Sequence, residues 1–415
     1  MSRSPRSNVR RLAFGRLISV TGGAAAFTAL NFLVWDRTHS PWMQSLSLLL
    51  TFGVAGVLGP FAGALGDRFD RRRVMIVSEA VSAVFFTAMA LVDRPIWLIL
   101  LAFGSAIAEL PFFSASRAAI PNLVEREDDI AWANSLITLG VHSGIALGPV
   151  IGGVLLAAVG ASMVFAINAA TFVVSLLVTL TVHGRFQESV AHEDREEHRG
   201  LSAGLVYLWR EPVLRRLSIA WFVFVVGMGM GMVADAPLAE AFRSGELGYG
   251  LMIAAWGLGS TLGAGAGRWM TARTEPRCMV AGAVGLTVTT LAVGFAPVFW
   301  FVLASLLVMG VSDGLTIVSE NGMMQRRTPD AVRSRTMAAF EAVLSFGMAL
   351  AFILAGPVLN LVGPRSVYRL GGIGVAGALV ILLPLLRLRV DEVGPATDRP
   401  TDMTLEPAVD GAMVE

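Results

Sequence analysis

Two long apolar stretches, at 42–61 and 74–92, are separated by a short segment that carries six charged residues and ends Asp70-Arg71-Arg72-Arg73. A helix needs about 20 mostly apolar residues to cross a bilayer, and both stretches have roughly that length. Charged side chains inside the hydrocarbon layer are costly. The segment is therefore expected to form a tight turn at one membrane face, with a transmembrane helix on each side.

Similar stretches make up most of the chain. Of its 415 residues, 55% are hydrophobic and 15% are charged, and the mean hydropathy is +0.67. No soluble catalytic domain fits in the remainder, so we expect an all-α membrane protein that is not an enzyme. Twelve transmembrane helices are predicted, at 14–36, 42–65, 74–92, 96–117, 131–158, 162–182, 213–236, 248–270, 277–295, 297–320, 336–360 and 367–386.

Several kinds of chemistry are excluded by residue usage. Cys278 is the only cysteine and the five histidines show no ligand spacing, so neither a metal site nor a bound cofactor is expected. The chain has no lysine, and hence no Gly-x-x-x-x-Gly-Lys-[Ser/Thr] loop for a nucleotide. A net charge of +1 without a basic stripe gives no indication of a nucleic-acid partner.

The arginines predict the orientation. All 32 basic residues are arginine, and positively charged residues collect in cytoplasmic loops. With the spans above, one face holds nearly all of them, together with both termini. The N-terminal segment shows no cleavage site and is expected to remain as a cytoplasmic tail. We expect a multi-pass protein of a bacterial inner (cytoplasmic) membrane, with five arginines on the outer side: Arg37, Arg94, Arg243, Arg365 and Arg369.

A charged segment and an internal repeat divide the chain into two halves. Residues 183–200 are polar and lie near the midpoint, and Pro121 and Pro149 recur as Pro329 and Pro357 at the same offset. Parallel repeats of this kind are typical of two-bundle transporters. The predicted organisation is a cytoplasmic N-tail (1–13), an N-terminal six-helix bundle (14–182), a cytoplasmic linker with a short amphipathic helix (183–212), a C-terminal six-helix bundle (213–386) and a disordered cytoplasmic tail (387–415).

The charged turn resembles the signature between the second and third helices of the major facilitator superfamily. The family pattern Gly-x-Leu-x-Asp-Arg-x-Gly-Arg-[Lys/Arg] is matched at six positions, and Asp70 stands where the family has its second glycine. The resemblance implies twelve helices in the major facilitator fold and a gate on the cytoplasmic side. The residues that it assigns to this gate are Gly63, Asp67, Arg68, Arg71 and Arg72.

The fifth predicted helix contains a second family-like motif, at Gly144, Gly148, Pro149, Gly152 and Gly153. It is similar to the antiporter motif of the superfamily, although Ser135 stands where that motif begins with glycine. Gly144, Gly148 and Gly152 fall on one helix face and permit close helix contact, and Pro149 allows a bend. Plain small-residue packing is the alternative. The segments 8–19, 112–121 and 325–330 resemble the enterobactin-exporter and macrolide-efflux branch of the superfamily.

Carboxylates inside predicted spans are the main candidates for ion coupling, because such residues are costly there and mark ion or proton paths. Glu109 in the fourth span and Asp313 in the tenth are the two central ones, and the resemblance places both helices at the cavity between the halves. A packing role beside an arginine or hydroxyl is the alternative. Glu79, by contrast, is interpreted as part of the charge network at the cytoplasmic face.

Other polar and flexible residues supply weaker candidates. His142 lies mid-span and could titrate near neutral pH, with ordinary packing as the alternative. Arg16 either snorkels to the interface or binds an anionic substrate group. Met228 and Met232 would make the seventh helix adaptable to a hydrophobic substrate, and Asp235 near its outer end either lines the cavity or is solvated.

These features together predict a carrier that works by alternating access. The expected reaction is export of a small amphipathic molecule (a drug, a siderophore or a secondary metabolite) in exchange for protons, by a protein that functions as a monomer in the bilayer. An uptake symporter would share the fold and the gate. A non-transporting membrane sensor is the third hypothesis.

Overall fold

The protein is described by a computed structural model for residues 5–53, 58, 69–124, 127–182, 186 and 200–387. The described residues form helices joined by short turns, and no strand occurs among them. The N-terminal half consists of α1 (Pro5–Thr38), α2 (Pro41–Leu48, continued by a π-helical turn at Leu49–Gly53), α3 (Arg71–Leu91), α4 (Pro95–Leu123), α5 (Glu127–Val159) and α6 (Ala161–Thr181).

A short helix, α7 (Gly200–Arg210), precedes the C-terminal half. The next four helices are α8 (Pro212–Ala241), α9 (Gly245–Gly265), α10 (Glu275–Gly294) and α11 (Phe299–Arg327). The last helical stretch, Asp330–Leu382, is interrupted at Gly363, where φ is 75°. It therefore consists of two helices, α12 (330–362) and α13 (364–382).

Six hairpins define one end of the bundle, here called the hairpin end. The turns lie at 39–40, 92–94, 160, 242–244, 295–298 and 363. The five arginines predicted for the outer side are at or beside these turns; Arg369, for example, donates to the carbonyl of Gly294 at 2.9 Å. The opposite end holds the remaining connections and is called the arginine-rich end.

The described helical stretches that could cross a membrane are fewer than the predicted spans. Nine described helical stretches are long and apolar enough to cross a membrane, whereas the sequence predicts twelve spans. The stretch at 335–387 contains two of the twelve, and the span predicted at 42–65 continues into residues outside the described part. The remaining difference is α9, whose seven glycines between 245 and 265 reduce its hydropathy.

The surface around the bundle is apolar. Large hydrophobic side chains point outwards on most helices, and Leu91 and Leu361 are each 81% exposed. A soluble protein rarely exposes contiguous apolar surface on this scale, whereas a bilayer covers it. The fold is an all-α membrane protein, as the sequence predicts.

The two halves repeat the same design. Pro149 and Pro357 both lie inside helices, α5 and α12. Each of these helices is followed by a one-residue turn with almost the same backbone conformation, φ 79° and ψ 166° at Gly160 and φ 75° and ψ 167° at Gly363. That region is open to essentially no residue except glycine, so both turns require it.

Several predicted boundaries differ from the observed helices. α1 begins at Pro5, because Val9 and Leu12 are buried against neighbouring helices and extend the helix into the segment predicted as a tail. α7 is the helix expected within the linker, and Leu208 on it is fully buried. Most of the predicted linker at 183–199, and the tail from 388 onwards, lie outside the described residues.

Candidate functional site

Arg16 lies in the body of α1, about three turns from the start of the helix. Its residue is only 5% exposed, and its guanidinium carbon stands 4.7 and 4.5 Å from the ring centroids of Phe112 and Phe113 on α4. A buried arginine over two aromatic faces gains cation–π attraction. The guanidinium is enclosed by protein side chains, which argues against the snorkelling interpretation.

Glu109 lies on the same face of α4, one turn before the two phenylalanines that hold Arg16. It is half-buried and accepts a hydrogen bond from Ser105 Oγ at 3.2 Å. Glu109 and Arg16 are close enough to interact electrostatically. The structure thus brings together two residues that the sequence assigned to separate roles.

Glu79 on α3 belongs to the same cluster, which the sequence interpretation missed. It is only 2% exposed and accepts a hydrogen bond from Ser175 Oγ on α6 at 2.7 Å. It also interacts electrostatically with Arg16 and Glu109. Placing Glu79 in a network at the membrane face was wrong, because α3 begins at Arg71 and Glu79 is already two turns inside the bundle. Counting residues from that helix start would have shown it.

In the C-terminal half, Asp313 on α11 is 5% exposed and accepts a hydrogen bond from Ser260 Oγ on α9 at 3.4 Å. α9 and α11 are in direct backbone contact here. A Cβ added at Gly263 would stand 2.1 Å from the carbonyl oxygen of Val311, and one added at Gly314 would stand 2.2 Å from that of Ser260. The glycines allow this approach, and the approach buries Asp313.

Asp235 lies near the hairpin end of α8, where it is half-buried and accepts a hydrogen bond from the Tyr368 hydroxyl on α13. Tyr249 on α9 is within electrostatic range. The Asp235 side chain is therefore held by Tyr368 and is not simply solvated. Met228 lies two turns earlier and contacts Thr290 of α10, with Sδ 3.9 Å from the hydroxyl oxygen. Met232 is half-buried against the core of the C-terminal half.

The glycine motif of α5 forms the contact with α1. A Cβ added at Gly144, Gly148 or Gly152 would stand 2.4–2.9 Å from atoms of α1. Gly153 points elsewhere, to Gly250 of α9, where an added Cβ would stand 2.8 Å from the Gly250 Cα. The motif therefore serves two interfaces, one within the N-terminal half and one between the halves.

Part of the charged turn is described. Asp70 is the N-cap of α3, and its Oδ1 accepts from the backbone N–H of Arg73 at 2.9 Å. This capping role explains an aspartate where the family has glycine. Arg71 donates to the carbonyl of Ala118 on α4, and Arg72 to that of Leu180 on α6, both at 2.8 Å. Gly63, Asp67 and Arg68, and the side chain of His142, lie outside the described part.

The halves meet at the hairpin end. The carboxylate of Glu240 on α8 accepts from Trp35 Nε1 of α1 at 2.6 Å and lies 3.1 Å from His39 Nε2. Phe32 packs against Tyr249, with ring centroids 6.0 Å apart. At the arginine-rich end, the described bonds join helices of one half, as those of Arg71 and Arg72 do. The structure is thus sealed at the hairpin end.

Two further contacts between the halves involve helix pairs that the internal repeat relates. Gly153 of α5 meets Gly250 of α9, and Gly356 of α12 meets Ser45 of α2, where an added Cβ would stand 3.0 Å from the Ser45 Oγ. The two helix pairs, α5 with α9 and α12 with α2, are equivalent in the two halves, although the contacting residues lie at different positions along them. The halves therefore contact each other through two related helix pairs, as expected for parallel repeats.

Residues 8–414 match the transmembrane secretion effector family, which covers nearly the whole chain. The chain belongs to this family. It is a multi-pass membrane transporter of the major facilitator superfamily and not an enzyme, as the sequence predicts. Similar curated proteins include the enterobactin exporter EntS of Escherichia coli O1:K1 / APEC and of Shigella boydii serotype 18. Each is 25% identical over 389 residues, covering 92% of this chain and 92% of the relative.

Solved structures of transporters have the same fold. The nucleoside transporter NupG superimposes with a TM-score of 0.72 at 16% identity, over 92% of this chain and 100% of that one. A bacterial homologue of the human lysosomal transporter Spinster, inward-facing and unoccupied, gives 0.65 at 16% identity, over 95% and 98%. A bacterial homologue of ferroportin, also inward-facing, gives 0.71 at 14% identity, over 93% and 100%.

Proposed function

We propose that this protein exports a small amphipathic molecule from a bacterial cytoplasm in exchange for protons, by alternating access across the inner membrane. The arginine-rich end faces the cytoplasm, since basic residues stay on that side. In this proposal, the inter-half contacts at the hairpin end close the site on the outer side. The relatives named as enterobactin exporters support the direction of transport.

The cluster of Arg16, Glu79 and Glu109 is the observation that carries the proposal. It places two carboxylates and one guanidinium inside the bundle, where ionised groups are retained for function despite their cost. With all three ionised, the cluster carries one uncompensated negative charge. A proton at Glu109, the half-buried member of the cluster, would neutralise that charge. Asp313, held by Ser260, is the second candidate for proton coupling.

Other residues have supporting roles in this scheme. Arg71 and Arg72 fix the N-terminal half at the cytoplasmic end, and together with Asp67 they would meet the C-terminal half when the outside opens. Met228, Met232 and Asp235 are proposed to adapt the C-terminal half to the substrate. A bound metal or cofactor is not part of the proposal, and the protein is proposed to act as a monomer.

Inverted membrane vesicles test the proposal. The vesicles are energised to an acidic interior, and a pH-sensitive dye reports proton release as hydrophobic antibiotics and siderophores are added one at a time. We expect release with some compounds in the wild type and none in Glu109→Gln. Asp93→Asn, which removes an 85% exposed carboxylate at the hairpin end, is the matched control and should behave as the wild type.

Two outcomes would favour the alternatives. Proton uptake into a vesicle of the opposite gradient, driven by the same compounds, would indicate an uptake symporter. Absence of any flux across the panel, with unchanged behaviour of Glu109→Gln, would favour a non-transporting sensor. Equal release in the wild type and in Glu109→Gln would show proton-coupled export that does not use Glu109.

A further inference from the structure

Arg16 has no fixed ionic partner in the part of the chain that the structure describes. Its residue is 5% exposed, yet no described carboxylate oxygen lies within 4.0 Å of its guanidinium. It interacts electrostatically with both Glu109 and Glu79, and with the cation Arg117 further along α4. The guanidinium therefore stacks on two aromatic rings and interacts with both acids only at longer range.

Glu79 also has a side-chain atom without a partner among the described residues. Its Oε1 accepts the bond from Ser175, but its Oε2 is fully buried and has no hydrogen-bond partner among the described residues. An unpaired buried carboxylate oxygen is costly. α1 is close at this point, because a Cβ added at Gly15, next to Arg16, would stand 3.2 Å from the Ser175 Oγ. The unpaired Oε2 of Glu79 therefore lies near the segment of α1 that carries Arg16.

We propose that Glu79 is the second partner of Arg16 and a positioning residue for proton coupling, an inference that rests on the proposed role of Glu109. When Glu109 is ionised, Arg16 is shared between both carboxylates. When Glu109 takes a proton from water and becomes a neutral acid, Arg16 pairs with Glu79, and this ion pair is what keeps the buried Glu79 ionised. Glu79 thus supplies an alternative ion-pair partner for the guanidinium of Arg16. Glu109 can then give up its interaction with Arg16 and take a proton near neutral pH.

The negative charge of Glu79 limits how strongly Arg16 acts on Glu109. Without Glu79, Arg16 has only Glu109 to pair with, and an opposite charge within about 4–6 Å shifts a carboxyl titration by about 1–3 pH units towards acid. The groups that face Glu79 are Arg16 from α1, Glu109 from α4 and the neutral Ser175 from α6. Removing Arg16 along with Glu79 therefore abolishes the shift.

Infrared difference spectroscopy on the full-length protein in lipid nanodiscs tests this without a substrate. The C=O stretch of protonated carboxylic acids is followed against pH, and the Glu109 band is identified by its loss in Glu109→Gln. In Glu79→Gln we expect the midpoint of that band about 1–3 pH units lower. Glu79→Asp keeps the charge and should stay near the wild type, and the double variant Arg16→Gln/Glu79→Gln should lose the acid shift.

Glu320→Gln is the matched control, since it removes another buried carboxylate, 6% exposed, from the other half; the Glu109 midpoint should not move. An unshifted midpoint in Glu79→Gln, or loss of the band itself in that variant, would overturn the positioning role. Absence of any Glu109 band in the wild type would instead refute Glu109 as the proton carrier. The two failures are therefore distinguishable.

Discussion

Truncation of Glu240 should shift the protein from the state sealed at the hairpin end towards the state open at that end. Its carboxylate joins the two halves through Trp35 Nε1 at 2.6 Å and His39 Nε2 at 3.1 Å. A hydrogen bond to a charged group contributes about 1.5–3 kcal/mol when buried. Because the Glu240 side chain is 50% exposed, we take about 1–2 kcal/mol for both bonds together.

A free-energy change of that size corresponds to a shift of about 5- to 30-fold in the ratio of the two states. Spin labels at Leu91 and Leu361, one in each half near the hairpin end, would report it by double electron–electron resonance. Glu240→Ala should increase the long-distance population. Asp93→Ala is the control, because Asp93 pairs with Arg37 within the N-terminal half. Identical distance distributions in the wild type and Glu240→Ala would refute the reasoning.

Two further substitutions test the packing and the capping. Gly263→Ala places a Cβ 2.1 Å from the Val311 carbonyl oxygen and should lower both the melting temperature and the yield of monodisperse protein in detergent. Gly265→Ala is the control, because no atom lies within 4 Å of its added Cβ, and it should change neither. Equal stability of the two variants would contradict the close contact. Asp70→Ala removes the N-cap bond to Arg73 and should cost about 1 kcal/mol, measured by thermal unfolding, while Asp70→Asn should retain most of it.

Hydropathy predicted the helical membrane fold, because each segment that crosses a bilayer has to be apolar whatever its neighbours in the fold are. Each of the described helices overlaps a predicted span or the predicted linker helix. The boundaries were less accurate. α1 extends back to Pro5 and α11 runs on to Arg327, because burial against neighbouring helices stabilises turns that lie beyond the apolar core of each span.

The candidate site was predicted only in part, since its residues are distant in sequence. Glu109 and Arg16 stood out as charges inside spans, but nothing in the pattern placed Arg16 over Phe112 and Phe113. Glu79 was assigned to the wrong environment. Glu240 was missed altogether, because its partner Trp35 is 205 residues away and helical periodicity carries no information on contacts between halves.

Proteoliposomes with an imposed pH gradient and a clamped membrane potential give the most direct test of proton-coupled export. A compound identified in the vesicle panel is supplied outside, and its accumulation is measured. The account predicts uphill accumulation when the interior is acidic, because protons leave as substrate enters, whichever way the protein inserts. Glu109→Gln should still exchange labelled for unlabelled compound but should not accumulate it. Accumulation driven by an alkaline interior would contradict antiport, and undiminished accumulation in Glu109→Gln would contradict the role of that carboxylate.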